Sequence, residues 1–154
     1  MNHWLLKTEP TSFGIEDLAK AKAGTTTWDG VRNYQARNML RDQIKRGDLA
    51  FFYHSSCKVP GITGVVEIVK AGYPDSTAFD RRDPHFDPDS DPASPTWYMV
   101  DVRLKRKFRH VITLTDLRTH AGSALRSLQL LKRGNRLSVM PVTKQEWDFI
   151  LTLA

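Results

Sequence analysis

Residues 49–69 read LAFFYHSSCKVPGITGVVEIV, two apolar runs divided by a polar stretch that ends in Pro60-Gly61. Each run is short and rich in aromatic or β-branched residues, which is typical of a buried strand. No helical pattern lies between the two runs, so we expect these strands to pair antiparallel. Gly64 inside the second run indicates a bulge or a tight corner in the sheet.

The flanking sequence adds strands and short helices to this pair. Further strands are predicted at residues 3–6, 97–108 and 137–142, and a polar segment with five prolines spans residues 73–95. The predicted helices lie at about residues 12–19, 33–45, 113–117, 125–131 and 143–154. The order β-α-α-β-β-β-α-α-β-α predicts an α+β fold, a small curved β-barrel of about five to six strands. We expect mostly antiparallel pairing, with the short helices packed around the sheet.

Length and cysteine content restrict the class of protein. A chain of 154 residues fits one domain, which we expect to span residues 1–154. Cys57 is the only cysteine, which excludes an internal disulfide and a multi-cysteine zinc site and suits a reducing compartment. The apolar run in MNHWLLKTEP is too short for a signal peptide or a membrane span. We therefore expect a cytoplasmic protein that does not bind membranes.

The chain is basic, with a formal net charge of +6, which favours a polyanionic partner such as DNA or RNA. One basic stripe lies on the second predicted helix, and another follows the strand that begins at Trp97. We predict that the stripes contact backbone phosphates, although charge runs are also common on solvated surfaces. The stripes consist of Arg37, Arg41 and Lys45, and of Arg103, Lys105, Lys107 and Arg109.

Trp28 begins the stretch WDGVRNYQARN, after three threonines and before Asp29-Gly30. It falls on no periodic apolar face, whereas Trp147 lies on the apolar stripe of the last predicted helix. We therefore predict that Trp28 lies on a loop that leads into a helix. Such a tryptophan can form one wall of a binding pocket, or it can plug one end of the barrel.

Six segments together resemble the EVE family, which includes the thymocyte nuclear protein family and many bacterial relatives. They occur in the family's order and cover nearly the whole chain. They are WLLKTEP at 4–10, WDGVRNYQARNML at 28–40, GDLAFFYHSS at 47–56, PGITGVVEIV at 60–69, WYMVDVRLKRKF at 97–108 and RLSVMPV at 136–142. The resemblance implies one EVE domain with a PUA-like fold, related to the YTH and ASCH domains.

The resemblance also implies a function, because several PUA-like domains are binding modules that hold a modified base in an aromatic-walled pocket. A base presents two π faces and a hydrogen-bonding edge, so its pocket needs aromatic walls and a few fixed polar groups. Our hypothesis is non-catalytic recognition of a modified nucleobase in DNA or RNA by a monomer without a cofactor. The candidate walls are Trp28, Tyr53 and Trp97. The candidate polar residues are Lys7, Thr8, Asn33, His54, Ser55, Arg136 and Ser138.

Several of these candidates have a structural alternative. Asn33 can be the N-cap of its helix, and Ser138 can be satisfied by the backbone. Tyr53 can belong to the core and His54 can be a structural histidine. Trp97 can belong to a second small core.

Three other functions compete with base recognition. A hydrolytic set of Asp29, His54 and Ser55 is disfavoured, because adjacent residues on a strand point to opposite faces and no G-x-S-x-G motif is present. The acidic segment 80–92 lacks the spacing of a calcium-binding EF-hand loop. A protein-interaction module or a nucleoside binder without nucleic acid stays open. We expect Trp28→Ala to abolish ligand binding and to leave folding cooperative if Trp28 forms the pocket.

Overall fold

The computed structural model describes residues 1–154 as six strands and short helices. The strands are β1 (His3–Thr8), β2 (Thr25–Trp28), β3 (Leu49–His54), β4 (Gly61–Pro74), β5 (Tyr98–Thr113) and β6 (Val139–Val142). The α-helices are α1 (Ile15–Lys20), α2 (Tyr34–Asn38), α3 (Leu114–Arg118) and α4 (Lys144–Leu151). Single turns of 3₁₀-helix lie at Lys22–Gly24, Ser76–Phe79 and Gln129–Leu131, and a π-helical turn at Met39–Gln43 extends α2. None of these helices is long and apolar enough to cross a membrane.

All six strands form one sheet in the order β2-β5-β4-β3-β1-β6. β1 is parallel to β3, and the other neighbours are antiparallel. The edge strands β2 and β6 do not pair with each other, so the curved sheet stays open on that side. The predicted α+β class and the mostly antiparallel pairing are confirmed.

The sheet is curved by bulges in its two longest strands. The pairing of β4 with β5 shifts register at four places, and β3 shifts against β4 between Phe52 and Tyr53. Gly64 lies at one of these shifts, where a Cβ atom would collide with the carbonyl oxygen of Arg106. The bulge predicted at this glycine is therefore confirmed, and its physical cause is the close approach of the neighbouring strand.

Three helices begin at the capping residues that the sequence predicts. The side chains of Asn33, Thr113 and Thr143 accept hydrogen bonds from backbone N–H groups in the first turns of α2, α3 and α4. α1 differs, because it begins after Gly14 and not at Ser12. The helix predicted at residues 125–131 is also wrong, since this segment forms turns that end in a 3₁₀ turn.

The predicted loop at Trp28 is wrong. Residues 25–28 form β2, which pairs antiparallel with β5 so that Trp28 lies opposite Val100. A run of threonines favours extended backbone because their β-branched side chains fit a pleated strand. The loop begins only at Asp29.

The core is one cluster of 33 buried residues on both faces of the sheet. β3 is buried on both sides, and its side chains alternate between them. Phe51 stacks on Trp147 of α4 with ring centroids 3.9 Å apart. On the other side, Phe52 meets Trp28 edge-to-face at 5.5 Å.

The acidic, proline-rich segment between β4 and β5 folds as a series of tight turns. Five aspartates each accept a hydrogen bond from the backbone N–H two residues later, which is the pattern of an Asx turn. These residues are Asp75, Asp80, Asp83, Asp87 and Asp91. Trp97 fixes the end of the segment, since its Nε1 donates to Asp87 Oδ2 at 2.7 Å. The density of aspartate in residues 75–91 is thus explained by turn formation.

Candidate functional site

The largest cavity, about 470 Å³, lies where β2 ends. Its volume falls within the range of about 300–1,000 Å³ that is typical of small-molecule sites. Residues 26–32 form one side of the cavity. Residues 7–9 and 12–13, together with His85 and Ser138, form the rest of the lining.

Trp28 is a rigid part of the cavity wall. Only 6% of the residue is exposed, because its ring packs edge-on against Phe52 in the core. The part that remains accessible lines the cavity together with Phe13. The loop that carries Phe13 is held by Thr8, whose hydroxyl donates to the Phe13 carbonyl oxygen at 3.0 Å. The cavity therefore has an aromatic side whose position is fixed before any ligand arrives.

The absence of a side chain at Gly30 lets His85, in the segment 75–97, pack at the edge of the cavity. The φ of Gly30, +76°, lies in the left-handed region, where a residue with a Cβ atom is strained. A Cβ atom at this position would also lie 2.7 Å from the His85 ring. His85 can therefore rest on the Gly30 backbone and cover the edge of the cavity.

A buried carboxylate holds the segment of Gly30 in place. Asp75 is fully buried and accepts hydrogen bonds from Gly30 N at 2.8 Å, from both N and Oγ1 of Thr77, and from Arg32 Nη1 at 3.0 Å. Burial alone raises the pKa of Asp75, but hydrogen bonds from Thr77, Gly30 and Arg32 outweigh it and lower the pKa below its usual value. The carboxylate is therefore ionised, and both of its oxygens accept hydrogen bonds within this network.

Arg32 connects the two segments on either side of the cavity. Its Nε and Nη2 donate to the His85 carbonyl oxygen at 3.1 and 2.7 Å. Its guanidinium also lies over the Trp97 ring, 5.4 Å from the centroid. Since Arg32 is saturated by these partners and Asp75, its role is to position His85 and the Gly30 turn.

The polar side of the cavity carries groups with free hydrogen-bonding capacity. Asp29 Oδ2 accepts from the Thr27 hydroxyl at 2.8 Å, and Oδ1 has no partner within the protein. Burial raises the pKa of Asp29, although the Thr27 hydrogen bond opposes this effect. Ser138 contributes its carbonyl oxygen to Lys7 N at 2.8 Å, which leaves its hydroxyl available to a ligand.

The cavity brings together four of the ten residues predicted for the pocket, namely Lys7, Thr8, Trp28 and Ser138. The other six do not line it. They are Asn33, Tyr53, His54, Ser55, Trp97 and Arg136.

Tyr53 and His54 are structural residues. Tyr53 is 2% exposed and points to the side of β3 opposite Phe52, so it faces away from Trp28. Burial raises the pKa of Tyr53 to about 12. His54 Nε2 accepts the first N–H of α1, from Ile15, at 3.1 Å.

The other four residues outside the cavity are also engaged or lie elsewhere. Asn33 caps α2, with its Oδ1 2.9 Å from Ala36 N. Ser55 donates its backbone N–H to the Thr8 carbonyl oxygen at 2.9 Å. Trp97 packs against Tyr34 and binds Asp87, and Arg136 lines a separate cleft.

Three of the seven residues in the predicted basic stripes form ion pairs, and a fourth is hydrogen-bonded to the backbone. Arg41 pairs with Asp42 and Arg103 with Glu67, both at 2.8 Å, and Lys107 pairs with Glu16. Arg37 donates to the Thr96 carbonyl oxygen at 2.7 Å, which ties α2 to the segment before β5. Lys45, Lys105 and Arg109 are exposed without an ion pair. Their contact with phosphates stays a prediction.

Sequence reasoning missed Phe13, Asp29, Arg32, Asp75 and His85 as parts of this site. The available signal was the length of the segment 73–95, because long loops without secondary structure often have a function. The positions of Gly30 and Asp29 in a tight turn beside Trp28 were a second signal.

A sequence profile of the EVE domain matches residues 2–153. The chain belongs to the EVE domain family. Among similar proteins, thymocyte nuclear protein 1 of Gallus gallus is 49% identical over 166 residues, which cover 98% of this chain and 68% of that protein. The family resemblance of the six sequence segments is thereby confirmed.

Solved structures of similar sequence have the same fold. Human THYN1 protein, in complex with 5-methylcytosine containing DNA, is 46% identical with a TM-score of 0.94, over 99% of this chain and 97% of that chain. A protein of Pseudomonas syringae is also 46% identical, with a TM-score of 0.92 over 98% of both chains. The PUA-like fold expected for an EVE domain is confirmed.

Proposed function

We propose that this EVE domain is a non-catalytic reader of a modified base in DNA, which it holds unpaired in the cavity beside Trp28. The observation that carries the proposal is the combination of a fixed aromatic wall with free polar groups in one cavity. The similarity to human THYN1, which is in complex with 5-methylcytosine containing DNA, supports a methylated cytosine as the base.

The proposed contacts follow from the chemistry of cytosine. Stacking on an aromatic side chain such as Trp28 contributes about 1–3 kcal/mol per base. The exocyclic amine of cytosine is a donor, and the free Oδ1 of Asp29 is an acceptor of the kind that reads it. Ser138 is a second polar group for the base edge.

The methyl group itself supplies a modest preference. Burying one methylene-sized group contributes about 0.8 kcal/mol, or about fourfold in affinity. Val31 and Phe13 give the cavity apolar surface that can take up such a group. We therefore expect about fourfold tighter binding of a methylated oligomer from the methyl contact alone.

Non-catalytic binding is supported by the positions of the residues of the hydrolytic alternative. His54 uses Nε2 to cap α1, and neither His54 nor Ser55 lines the cavity with Asp29. A general base must lie within hydrogen-bond reach of the group that it activates. These three residues therefore do not form a catalytic set.

The proposal is tested by fluorescence anisotropy with short single-stranded oligomers that carry one 5-methylcytosine or one cytosine at the same place. We expect tighter binding of the methylated DNA, and a loss of about 1–3 kcal/mol in Asp29→Ala. Asp89→Ala is the matched control, since Asp89 is an exposed carboxylate outside the cavity. Equal binding of both oligomers, with no effect of Asp29→Ala, contradicts the proposal.

Two further ligands separate the proposal from its alternatives. Tighter binding of an RNA oligomer with the same modified base identifies RNA as the carrier. Equal affinity for free 5-methyl-2′-deoxycytidine and for the oligomer identifies a nucleoside binder, because the strand then contributes nothing.

A further inference from the structure

A second cleft of about 360 Å³ lies beside the cavity of Trp28. Its sides are the start of α2, at Asn33 and Gln35, and the turn at residues 129–137 between α3 and β6. Lys132, Arg133 and Arg136 are its charged residues, and no carboxylate lines it. We call this surface the basic cleft.

The basic cleft and the cavity share a rim. Arg32 lines the cavity and the next residue, Asn33, lines the cleft. In the same way, Leu137 lines the cleft and Ser138 lines the cavity. Consecutive Cα atoms are about 3.8 Å apart, so two independent segments pass directly from one site to the other. A ligand larger than a base can therefore occupy both.

The three cations of the basic cleft are exposed and form no ion pair. This distinguishes them from Arg41, Arg103 and Lys107 of the predicted stripes, which have carboxylate partners. A cation that is already paired must lose its partner to bind a phosphate, whereas an unpaired one need not. Beside the cavity, the cleft therefore offers an anion three cations that have no carboxylate partner to displace.

The turn that carries these cations is anchored to the core. Leu130 and Leu137, on either side of the cations, are each 8% exposed and belong to the core cluster. Asn135 holds the turn from inside, since its Oδ1 accepts from Gln129 Nε2 at 3.3 Å and from Leu137 N at 3.4 Å. The positive charges therefore project from backbone with a fixed position.

We propose that the basic cleft is a phosphate site, which binds the backbone of the same nucleic acid strand whose base enters the cavity. This inference rests on the proposed function, because the shared rim connects the two sites only if a nucleotide occupies the cavity. The cleft supplies affinity without base preference, since phosphate contacts carry no sequence information. The cavity supplies the preference for the modified base.

The test compares two variants that remove three positive charges each. Lys132→Gln/Arg133→Gln/Arg136→Gln changes the basic cleft. The control variant, Lys58→Gln/Arg118→Gln/Arg126→Gln, changes exposed residues outside both sites and outside the predicted basic stripes. Both lower the formal net charge equally. Affinity for the methylated and unmethylated oligomers is measured by anisotropy from 0.1 to 1 M salt, and thermal unfolding confirms that both variants fold.

We expect the cleft variant to bind both oligomers up to about a hundredfold more weakly at 0.1 M salt, with little loss at 1 M. Each single-strand phosphate contact contributes about 0.7 to the slope of log affinity against log salt, so the slope falls by about 2. The control variant should keep the wild-type slope. Binding of 5-methyl-2′-deoxycytidine, which has no phosphate, should not change in the cleft variant.

The outcomes separate the two proposals. If the wild type prefers methylated DNA but the cleft variant keeps its affinity and salt slope, the phosphate site is wrong and the reader function stands. An equal loss of slope in the control variant shows that total charge, not the basic cleft, sets the salt dependence, and overturns the phosphate site. If the wild type binds neither oligomer, the proposed function and the proposed phosphate site are both wrong.

Discussion

Gly30 donates its backbone N–H to the buried carboxylate of Asp75 at 2.8 Å, across 45 positions of sequence. This hydrogen bond joins the turn after Trp28 to the segment that carries His85. The cavity therefore depends on a contact between two segments that are far apart in the chain. The stability of this contact and the shape of the cavity can be tested separately.

The first prediction concerns the stability of this junction. We expect Asp75→Ala to lower the free energy of unfolding by about 3 kcal/mol, because it leaves Arg32 and the Gly30 N–H without their partner. Asp91→Ala removes a similar Asx turn at an exposed position, and we expect a loss below about 1 kcal/mol. Urea unfolding measures both variants. Equal losses would show that the carboxylate acts only through its turn.

The lowered pKa of Asp75 adds a pH dependence with a defined sign. The folded protein favours the ionised form, so this group stabilises the fold above its unfolded pKa of about 3.9. That contribution is lost as the pH falls through the lower folded pKa. The difference in stability between wild type and Asp75→Ala should therefore shrink on acidification below about pH 4.

The second prediction separates the strain at Gly30 from its contact with His85. Gly30 and Gly134 have nearly the same φ, +76° and +75°, but only Gly30 has a side chain against it. Gly134→Ala should lower the free energy of unfolding by about 1–2 kcal/mol, because the left-handed backbone alone is strained by a Cβ atom. Gly30→Ala should cost more and also weaken oligomer binding, because the new methyl group displaces His85. If chemical denaturation shows the same loss of unfolding free energy in both variants, and Gly30→Ala binds the oligomer as well as wild type, the His85 contact is irrelevant.

The sequence foresees the parts of this fold that depend on local patterns. The apolar runs of β3 and β4 and the caps at Asn33, Thr113 and Thr143 are examples, because each is decided by neighbouring residues. β2 was missed although its threonines favour extended backbone, because so short a run becomes a strand only by pairing with β5, about 75 residues later along the chain.

The polar network of the cavity could not be predicted for the same reason. Arg32 reaches Asp75 and His85 across 43 and 53 positions, and no periodicity reports such a contact. The aspartates of the segment 75–91 also resemble metal ligands in composition, whereas the structure uses them in turns. Composition alone does not distinguish the two uses.

The third prediction concerns how protonation of His54 changes the stability of the fold. The neutral ring accepts the Ile15 N–H, and burial lowers the pKa of His54 below 6.5. Since the folded pKa is lowered, the stabilisation is complete above the unfolded pKa and is lost as the pH falls through the folded value. Wild type should exceed His54→Gln in stability at pH 7, and the difference should decrease toward pH 5. Urea unfolding at several pH values measures it, and a constant difference would contradict this role.

The fourth prediction revises the test of Trp28. Because Trp28 is 6% exposed and packs on Phe52, Trp28→Ala leaves a core cavity and should cost about 3–5 kcal/mol. Lost binding in that variant would not distinguish a pocket wall from a structural residue. Trp28→Phe keeps an aromatic core contact while it reduces the stacking surface, so it is the sharper substitution.

Trp147 provides the matched control, since it is 3% exposed, stacks on Phe51 and lies outside the cavity. Trp28→Phe and Trp147→Phe should lose comparable stability. Only Trp28→Phe should also lose affinity for the methylated oligomer, by about 1 kcal/mol of the 1–3 kcal/mol that stacking supplies. Anisotropy well below both unfolding temperatures measures this difference. Comparable losses of affinity in the two variants would mean that Trp28 acts through stability alone, and the base would then have to stack elsewhere in the cavity.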